Sequence, residues 1–360
     1  MTGIAALLAS LAAAFSPAGA YRFADGSVAA LVPNQGGLRY VDYSSGALRQ
    51  LAARPGGLLV GGPGVSVPEP VSVRLRVGDD SLQRGTDRAV RVPLVTDWIS
   101  FRSGSVQLAG RLLRPVGRGP FPAVVLVPGS VRARTDTYDL WAYFFATHGF
   151  AVLSYDKRGV GWSTGTYVNA ATDANLADQA ADALAGVEWL RKRPEIDVKR
   201  LGLSGGSQAG WTIVLAASRA TAVRFAAIQS GAAMSVGRQV AYSALTGAGS
   251  VVVTQDQIDA TLASAHDSGF DPRPGLASLR IPVLWQLGAV DKRMYTPETV
   301  ANVSALTGHD FTTIVYPGGA HSLRVTATGA QSEEAESPGF VRGVFDDLAA
   351  WLRSHVTALR

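Results

Sequence analysis

The sequence contains no cysteine. Disulfides, thiolate metal ligands and a cysteine nucleophile are therefore excluded. Charge is also scarce, with only 17% Asp, Glu, Lys and Arg, against 47% hydrophobic residues. That balance belongs to a globular chain and not to a disordered one. The formal charge is +5, but the basic residues are scattered, and the longest cluster is Arg191-Lys192-Arg193. Nucleic-acid binding usually needs a basic stripe, so no nucleic-acid partner is expected. No apolar run reaches the roughly 20 residues needed to span a membrane. Repeats, low-complexity tracts, metal-ligand clusters and a dinucleotide-type glycine pattern are absent too, so neither a metal nor a cofactor is expected. What is present is length: 360 residues suffice for one large α/β domain and a small extra module.

The chain opens on a short apolar stretch, residues 4–15, followed by Ala18-Gly19-Ala20. This fits a signal peptide over residues 1–20, cut before Tyr21, although Met1-Thr2-Gly3 carries no basic residue. A secreted or periplasmic location is the expectation, with a cytoplasmic one as the alternative. From 21 to 95 the text is β-like. Asp25-Gly26 marks a tight turn, and residues 71–77 alternate polar and apolar as a half-wet strand does. A small β module is expected there, too short for a several-bladed propeller.

From residue 96 the rhythm becomes strand, helix, strand, helix. The spacing predicts strands at 98–101, 108–114, 123–127, 151–155, 201–203, 225–229, 283–286 and 312–316. Several are continuous apolar runs, as expected of strands covered on both faces. Leu176, Ala180, Leu184, Val187 and Leu190 predict a helix over 173–193 ended by Pro194, and a closing helix is expected over 340–355. The predicted fold is α/β: a mostly parallel eight-stranded sheet with helices on both faces. A long connection, about 232–279, reads as a helical lid inserted into the domain that runs over 96–360.

The chemistry-bearing segment is Leu203-Ser204-Gly205-Gly206-Ser207-Gln208-Ala209-Gly210-Trp211. An apolar strand runs into Gly-x-Ser-x-small and then into a helix, the arrangement of a nucleophile elbow with Ser207 at its tip. Serine needs a base and the base needs an orienting acid. Of the five histidines, only His321 follows the last strand, on a loop at the C-terminal edge of the sheet. His148 ends a helix, His266 lies in the lid, His309 sits at the opposite edge and His355 is in the closing helix. Asp291 follows the preceding strand, giving the order Ser207, Asp291, His321. Two backbone N–H groups are the candidate oxyanion donors, Gln208 and, from the loop Pro128-Gly129-Ser130-Val131, Ser130.

With Phe121-Pro122-Ala123-Val124-Val125-Leu126-Val127, Tyr155-Asp156-Lys157-Arg158-Gly159-Val160-Gly161 and Pro282-Val283-Leu284 through Asp291, these motifs make the chain from about Trp98 onward resemble the α/β-hydrolase superfamily. Within it the chain is similar to the acyl-esterase and dienelactone-hydrolase-like branch, next to the prolyl-oligopeptidase-type peptidases. Relatives generally begin the oxyanion loop with His-Gly, where this chain has Pro128-Gly129, so the internal bonding of the loop must differ. The resemblance gives Asp156 and Arg158 a bracing role, through a mutual or a backbone ion pair. It implies a serine hydrolase acting on a small-molecule ester or acyl substrate. A peptidase of short peptides is the alternative, and a non-catalytic binding protein on a hydrolase fold is a third reading. Nothing in the sequence indicates an oligomeric state.

Overall fold

A computed structural model describes residues 16–34 and 37–357. The apolar stretch 4–15 lies outside the described residues. The first strands are β1 (Gly19–Phe23), β2 (Val28–Asn34), β3 (Gly37–Asp42), β4 (Leu48–Arg54), β5 (Leu58–Gly61), β6 (Val73–Gly78), β7 (Ser81–Arg84) and β8 (Asp87–Arg91). Each pairs antiparallel with the next, and β8 returns to pair with β1, so they close into a barrel. Closure leaves no strand edge unpaired. Side chains alternate along each strand with period two. Tyr21, Leu31, Tyr40, Leu75 and Leu82 fill the barrel, while their neighbours Ala20, Ala30, Val32 and Val41 face outward and are equally buried against the second domain. The expected cleavage point after Ala20 falls inside β1, where Ala20 pairs with Ala30.

The second sheet is built from β9 (Leu94–Ser103), β10 (Val106–Pro115), β11 (Phe121–Leu126), β12 (Ala151–Tyr155), β13 (Ile196–Gly206), β14 (Phe225–Gln229), β15 (Val283–Gly288) and β16 (Phe311–Tyr316). Its order is β16-β15-β14-β13-β11-β12-β10-β9. The β9–β10 hairpin and the β10–β12 pair are antiparallel, and the remaining pairs are parallel. All eight strands expected from the sequence are found, most of them one to several residues longer than the apolar runs suggested. The helices are α1 (Asp139–Thr147), α2 (Asp173–Arg191), α3 (Ala209–Arg219), α4 (Val236–Leu245), α5 (Gln255–Ser264), α6 (Arg273–Ser278), α7 (Thr296–Ser304), α8 (Glu333–Glu336) and α9 (Val344–Leu352). On one face, Leu176, Ala180, Ala183 and Val187 of α2 and Ile213 and Val214 of α3 pack on Val125, Leu153 and Leu203 of the sheet. On the other, α1 and α9 bury Phe144, Phe145, Phe345 and Leu348 against Val124, Ala227 and Leu284. Among the described residues no helix is long and apolar enough to cross a membrane.

The interval read as a lid is helical, as expected, and one other element differs. The lid interval holds three helices, α4 to α6, and α4 is tied down by the Arg238–Glu298 ion pair at 2.7 Å to α7. The closing helix starts at Val344, not at 340, because Phe340 bridges Arg324 and Gly343 takes φ 93°, a left-handed conformation that breaks the helix. The freed Phe340 becomes part of the seam with the barrel. Its N–H donates to the Gly46 carbonyl at 2.8 Å, and a Cβ on Gly46 would come within 2.7 Å of the Phe340 carbonyl oxygen. Tyr43 adds a hydroxyl donated to the Leu140 carbonyl at 2.6 Å and edge contacts with Phe144 and Phe345.

Candidate active site

Strand β13 ends at Gly206 and α3 begins at Ala209, which leaves two residues to reverse the chain. Ser207 makes the turn at φ 59°, a left-handed conformation that a non-glycine residue adopts only under constraint. The neighbours have to be small. A Cβ on Gly205 would stand 2.4 Å from the Val127 carbonyl oxygen and 2.8 Å from the Ala209 Cβ. A Cβ on Gly210 would meet the Gly231 Cα at 2.8 Å. Alanine at 209 is thus accommodated because residue 205 has no side chain. The Ser207 N–H donates to the Gln229 carbonyl at 2.9 Å, which pins the turn to the end of β14.

Asp291 is buried just beyond β15, and His321 follows β16. The His321 Nδ1–H donates to Asp291 Oδ2 at 2.8 Å. The other carboxylate oxygen, Oδ1, accepts the N–H groups of Arg293 at 2.8 Å and Met294 at 2.9 Å. With Oδ1 saturated by donors, Oδ2 is left for the imidazole, and the pairing fixes the tautomer with the proton on Nδ1 and the lone pair on Nε2. The lid takes part, because the Tyr242 hydroxyl of α4 donates to the Asp291 carbonyl at 2.8 Å. Burial, reinforced by the Asp291 charge, pushes the Tyr242 phenol up, so it stays a donor. His321 itself sits in a tight turn. Ala320 N–H donates to the Arg324 carbonyl at 2.9 Å, and Leu323 adopts φ 58° to close it.

Ser207 and His321 border the same two cavities, one of about 450 Å³ and one of about 270 Å³. No hydrogen bond joins the Ser207 hydroxyl to the imidazole. Ser130 lines both cavities, and Gln208 lines the smaller. Among the described residues, neither the Gln208 N–H nor the Ser130 N–H has an acceptor. Gln208 is the N-cap of α3, so its N–H belongs to the first turn of the helix and the positive end of its dipole.

The loop that starts at Pro128 is held by three side chains that the sequence reading did not single out. Gly129 N–H donates to the Tyr138 hydroxyl oxygen at 3.0 Å. Lys157 Nζ donates to the Gly129 carbonyl at 2.7 Å. The Tyr167 hydroxyl donates to the Ser130 carbonyl at 2.6 Å. These bonds supply what Pro128, which has no N–H, cannot. Lys157 is almost fully buried, and burial pulls its ammonium down to about 8, with Asp182 opposing. The one sequence signal for Lys157 was its place between Asp156 and Arg158; Tyr138 and Tyr167 had none.

Asp156 and Arg158, expected to brace the site, are not paired with each other. Asp156 accepts the N–H groups of Thr135 at 2.7 Å and Trp162 at 2.8 Å. Arg158 reaches across to α2, where it forms a fork on Asp182 at 2.8 and 2.7 Å. Helix α2 supplies a buried carboxylate in the right plane, and bidentate geometry favours that partner over the adjacent Asp156.

The larger cavity is roofed by the barrel, which contributes Val32, Asn34, Arg39 and Leu48. The smaller is lined by the lid side, including Trp211, Gln239, Val240 and Met294. Among the described residues no group of three or more His, Asp and Glu is placed to hold a metal ion.

Comparison with known proteins agrees with this architecture. Residues 103–274 match the model of the X-Pro dipeptidyl-peptidase (S15) family. Over 88 residues the chain is 35% identical to the esterase FrsA of Escherichia fergusonii, a match that takes in 24% of this chain and 21% of that relative. The FrsA esterase of Escherichia coli gives the same figures, so the chain spans about a fifth of the length of these curated relatives, 21%. Among solved structures, the Pyrococcus horikoshii acylaminoacyl peptidase superposes with TM-score 0.55 at 15% identity, over 93% of this chain and 55% of that one. An esterase from Pyrococcus furiosus superposes with TM-score 0.53 at 16% identity, over 73% of this chain and 92% of that one.

Proposed function

We propose that this member of the α/β-hydrolase superfamily is a serine hydrolase that cleaves a carboxylic ester. The observation that carries the reading is Ser207, held at φ 59° on the border of two cavities that it shares with His321, whose Nδ1–H is engaged by the buried Asp291. In this reading the Ser207 oxygen attacks the ester carbonyl carbon while His321 Nε2 takes its proton. The imidazolium so formed is stabilised by the Asp291 carboxylate at its Nδ1–H. The carbonyl oxygen becomes an oxyanion facing the Gln208 and Ser130 N–H groups, which are free to donate. Loss of one such donor typically costs about 10²–10³-fold in rate. The alcohol leaves with the proton from His321, and water then attacks the acyl-enzyme by the same route, regenerating Ser207 and releasing the acid. The substrate is a small-molecule ester whose two halves occupy the two cavities.

A peptidase is the second reading, favoured by the family match over residues 103–274. A dipeptidyl-peptidase has to recognise a free ammonium terminus, which calls for an uncommitted carboxylate beside the nucleophile. Here Asp139 is committed to Arg111, and the one uncommitted carboxylate of the larger cavity among the described residues, Asp136, is outnumbered by Arg39, Arg293 and Arg324. That balance favours the ester. The test pairs wild type with Ser207→Ala, using a fluorophosphonate probe and p-nitrophenyl butyrate. Labelling and turnover in the wild type, both abolished in a folded Ser207→Ala, are the expected result. Labelling that survives the substitution would remove Ser207 from the role.

A further inference from the structure

Most buried arginines of this protein are matched with carboxylates. Arg111 pairs with Asp139, Arg158 with Asp182 and Asp178, Arg84 with Asp42, and Arg238 with Glu298. The larger cavity breaks this pattern. Arg39, on β3 of the barrel, is half-buried, and its guanidinium makes no hydrogen bond or ion pair with any described residue. Its Nε is fully buried and unsatisfied. Arg324, on the turn that carries His321, also has a buried, unsatisfied Nε, and its one carboxylate, Glu334, stands off at 3.5 Å. A buried cation without a partner is costly, and unpaired N–H donors add to that cost. The two guanidinium groups also repel each other. Burial and, after it, the Arg324 charge lower the Arg39 pKa, and burial lowers that of Arg324 despite Glu334. Arg111 and Arg114 also bury an unsatisfied Nε, but each has a carboxylate, Asp139 or Asp97; the cation without one, Arg39, lies in the cavity that Ser207 and His321 border, where an anion would relieve it.

We propose that the barrel-side cavity is a carboxylate subsite: the substrate cleaved at Ser207 carries an anionic group that is held between Arg39 of the barrel and Arg324 of the histidine turn. This rests on the ester-hydrolase reading for the reaction, but the anion site stands on its own geometry. Two planar guanidinium groups with uncommitted N–H donors suit a carboxylate, which accepts two donors per oxygen. The arrangement also gives the barrel a task, since one of the two cations comes from it and the other from the catalytic domain. The half of the substrate on the lid side meets Trp211, Val240 and Met294 beside the polar Asn169, Gln239, Ser243 and Arg293.

The test separates binding from turnover. Calorimetric titration of Ser207→Ala compares monomethyl adipate with methyl hexanoate, which has the same length and no charge. The anionic ligand is expected to bind roughly tenfold tighter or more, with the advantage shrinking as salt is added and falling about tenfold when Arg39→Gln or Arg324→Gln is introduced. In parallel, wild type is assayed on p-nitrophenyl hydrogen adipate and p-nitrophenyl hexanoate, and the ratio of the two kcat/KM values is followed in both arginine variants. Arg39 sits on a strand of the closed barrel, so its variant remains informative if Arg324→Gln, nearer the catalytic turn, fails to fold. Equal affinity for the two ligands, or a specificity ratio that neither substitution moves, overturns the subsite. Ser207-dependent turnover of both esters without preference leaves the ester-hydrolase reading intact while the subsite fails. Arg39-dependent binding of monomethyl adipate with no turnover of either ester keeps the subsite and removes the ester-hydrolase reading.

Discussion

The steric account of the turn at Ser207 can be tested by adding a single methyl group at position 205. In Gly205→Ala the new Cβ would lie 2.4 Å from the Val127 carbonyl oxygen and 2.8 Å from the Ala209 Cβ. Neither neighbour is the end of a flexible chain. Val127 is tied to β13 by its N–H, donated to the Ser204 carbonyl at 2.7 Å, and Ala209 opens α3. The strain has to be relieved by moving backbone, and the backbone in question carries Ser207. Overpacking of this kind costs about 1–3 kcal/mol in stability. The expected effect on rate is larger, because a shift of about 1 Å in a reacting group can cost on the order of 10²-fold. The assay is kcat/KM on a p-nitrophenyl ester beside a thermal melt. Gly205→Ala should keep a cooperative melt, lowered modestly, and lose about two orders of magnitude in rate. The double variant Gly205→Ala with Ala209→Gly removes the contact between the two Cβ atoms but not the one with the Val127 oxygen, so it should recover only part of the loss. Wild-type rate and melt in Gly205→Ala would refute the claim that residue size at 205 dictates the geometry of the turn.

Asp291→Asn should lower kcat by about 10⁴-fold, the size of loss known for this substitution in another serine hydrolase. The Arg293 and Met294 N–H groups will hold the amide oxygen where Oδ1 now lies, which turns the NH₂ toward His321 and forces the imidazole into the wrong tautomer. A folded variant within tenfold of wild type would dismiss Asp291 from the triad. Lys157 predicts an alkaline fall in kcat/KM as pH rises through about 8, because the neutral amine holds the Gly129 carbonyl less firmly than the ammonium. The sign for stability is opposite. The folded-state pKa lies below the unfolded value of about 10.4, so this group's contribution to stability rises between about pH 8 and that value. Lost rate with undiminished melting temperature is therefore the signature, and Lys157→Met should flatten that limb. An alkaline limb unchanged in Lys157→Met would exclude Lys157 as its source.

Much of the catalytic half was legible in the sequence because its determinants are local. Each parallel strand is covered on both faces and announces itself as an apolar run, as Ala123 to Leu126 and Phe225 to Ile228 do. The turn at Ser207 needs small residues within two positions on either side, a pattern readable without any tertiary information. His321 and Asp291 could be located because each follows a recognisable strand. The support of the loop at Pro128 could not. Tyr138, Lys157 and Tyr167 reach it from three separate segments, and a lone tyrosine in a loop carries no mark of its partner. The pairing of Arg158 with Asp182 instead of Asp156 has the same origin, a helix arriving from elsewhere in the chain. Closure of the β module was hidden for a related reason, since β1 and β8 are among the most distant strands of the barrel in sequence.

The barrel illustrates how a fold can separate reaction from selection. The groups that would make and break bonds all lie at the C-terminal edge of one sheet, and a change of substrate need not disturb them. The cavity roof is a different body, and its outer face is fixed to the catalytic domain by Tyr43, by the backbone bridge between Ala47 and Gly339, and by the close approach of Gly46 to Phe340. A closed barrel has no free edge strand with which to shift register, so a side chain on β3 is presented to the site as rigidly as one on the sheet itself. Rigidity is what a cationic subsite requires, because an arginine free to swing into solvent would hydrate its charge and give up the desolvation that makes the site selective. The unsatisfied Arg39 Nε is in this sense a cost the fold retains, on a barrel that the seam around Phe340 holds against the other sheet.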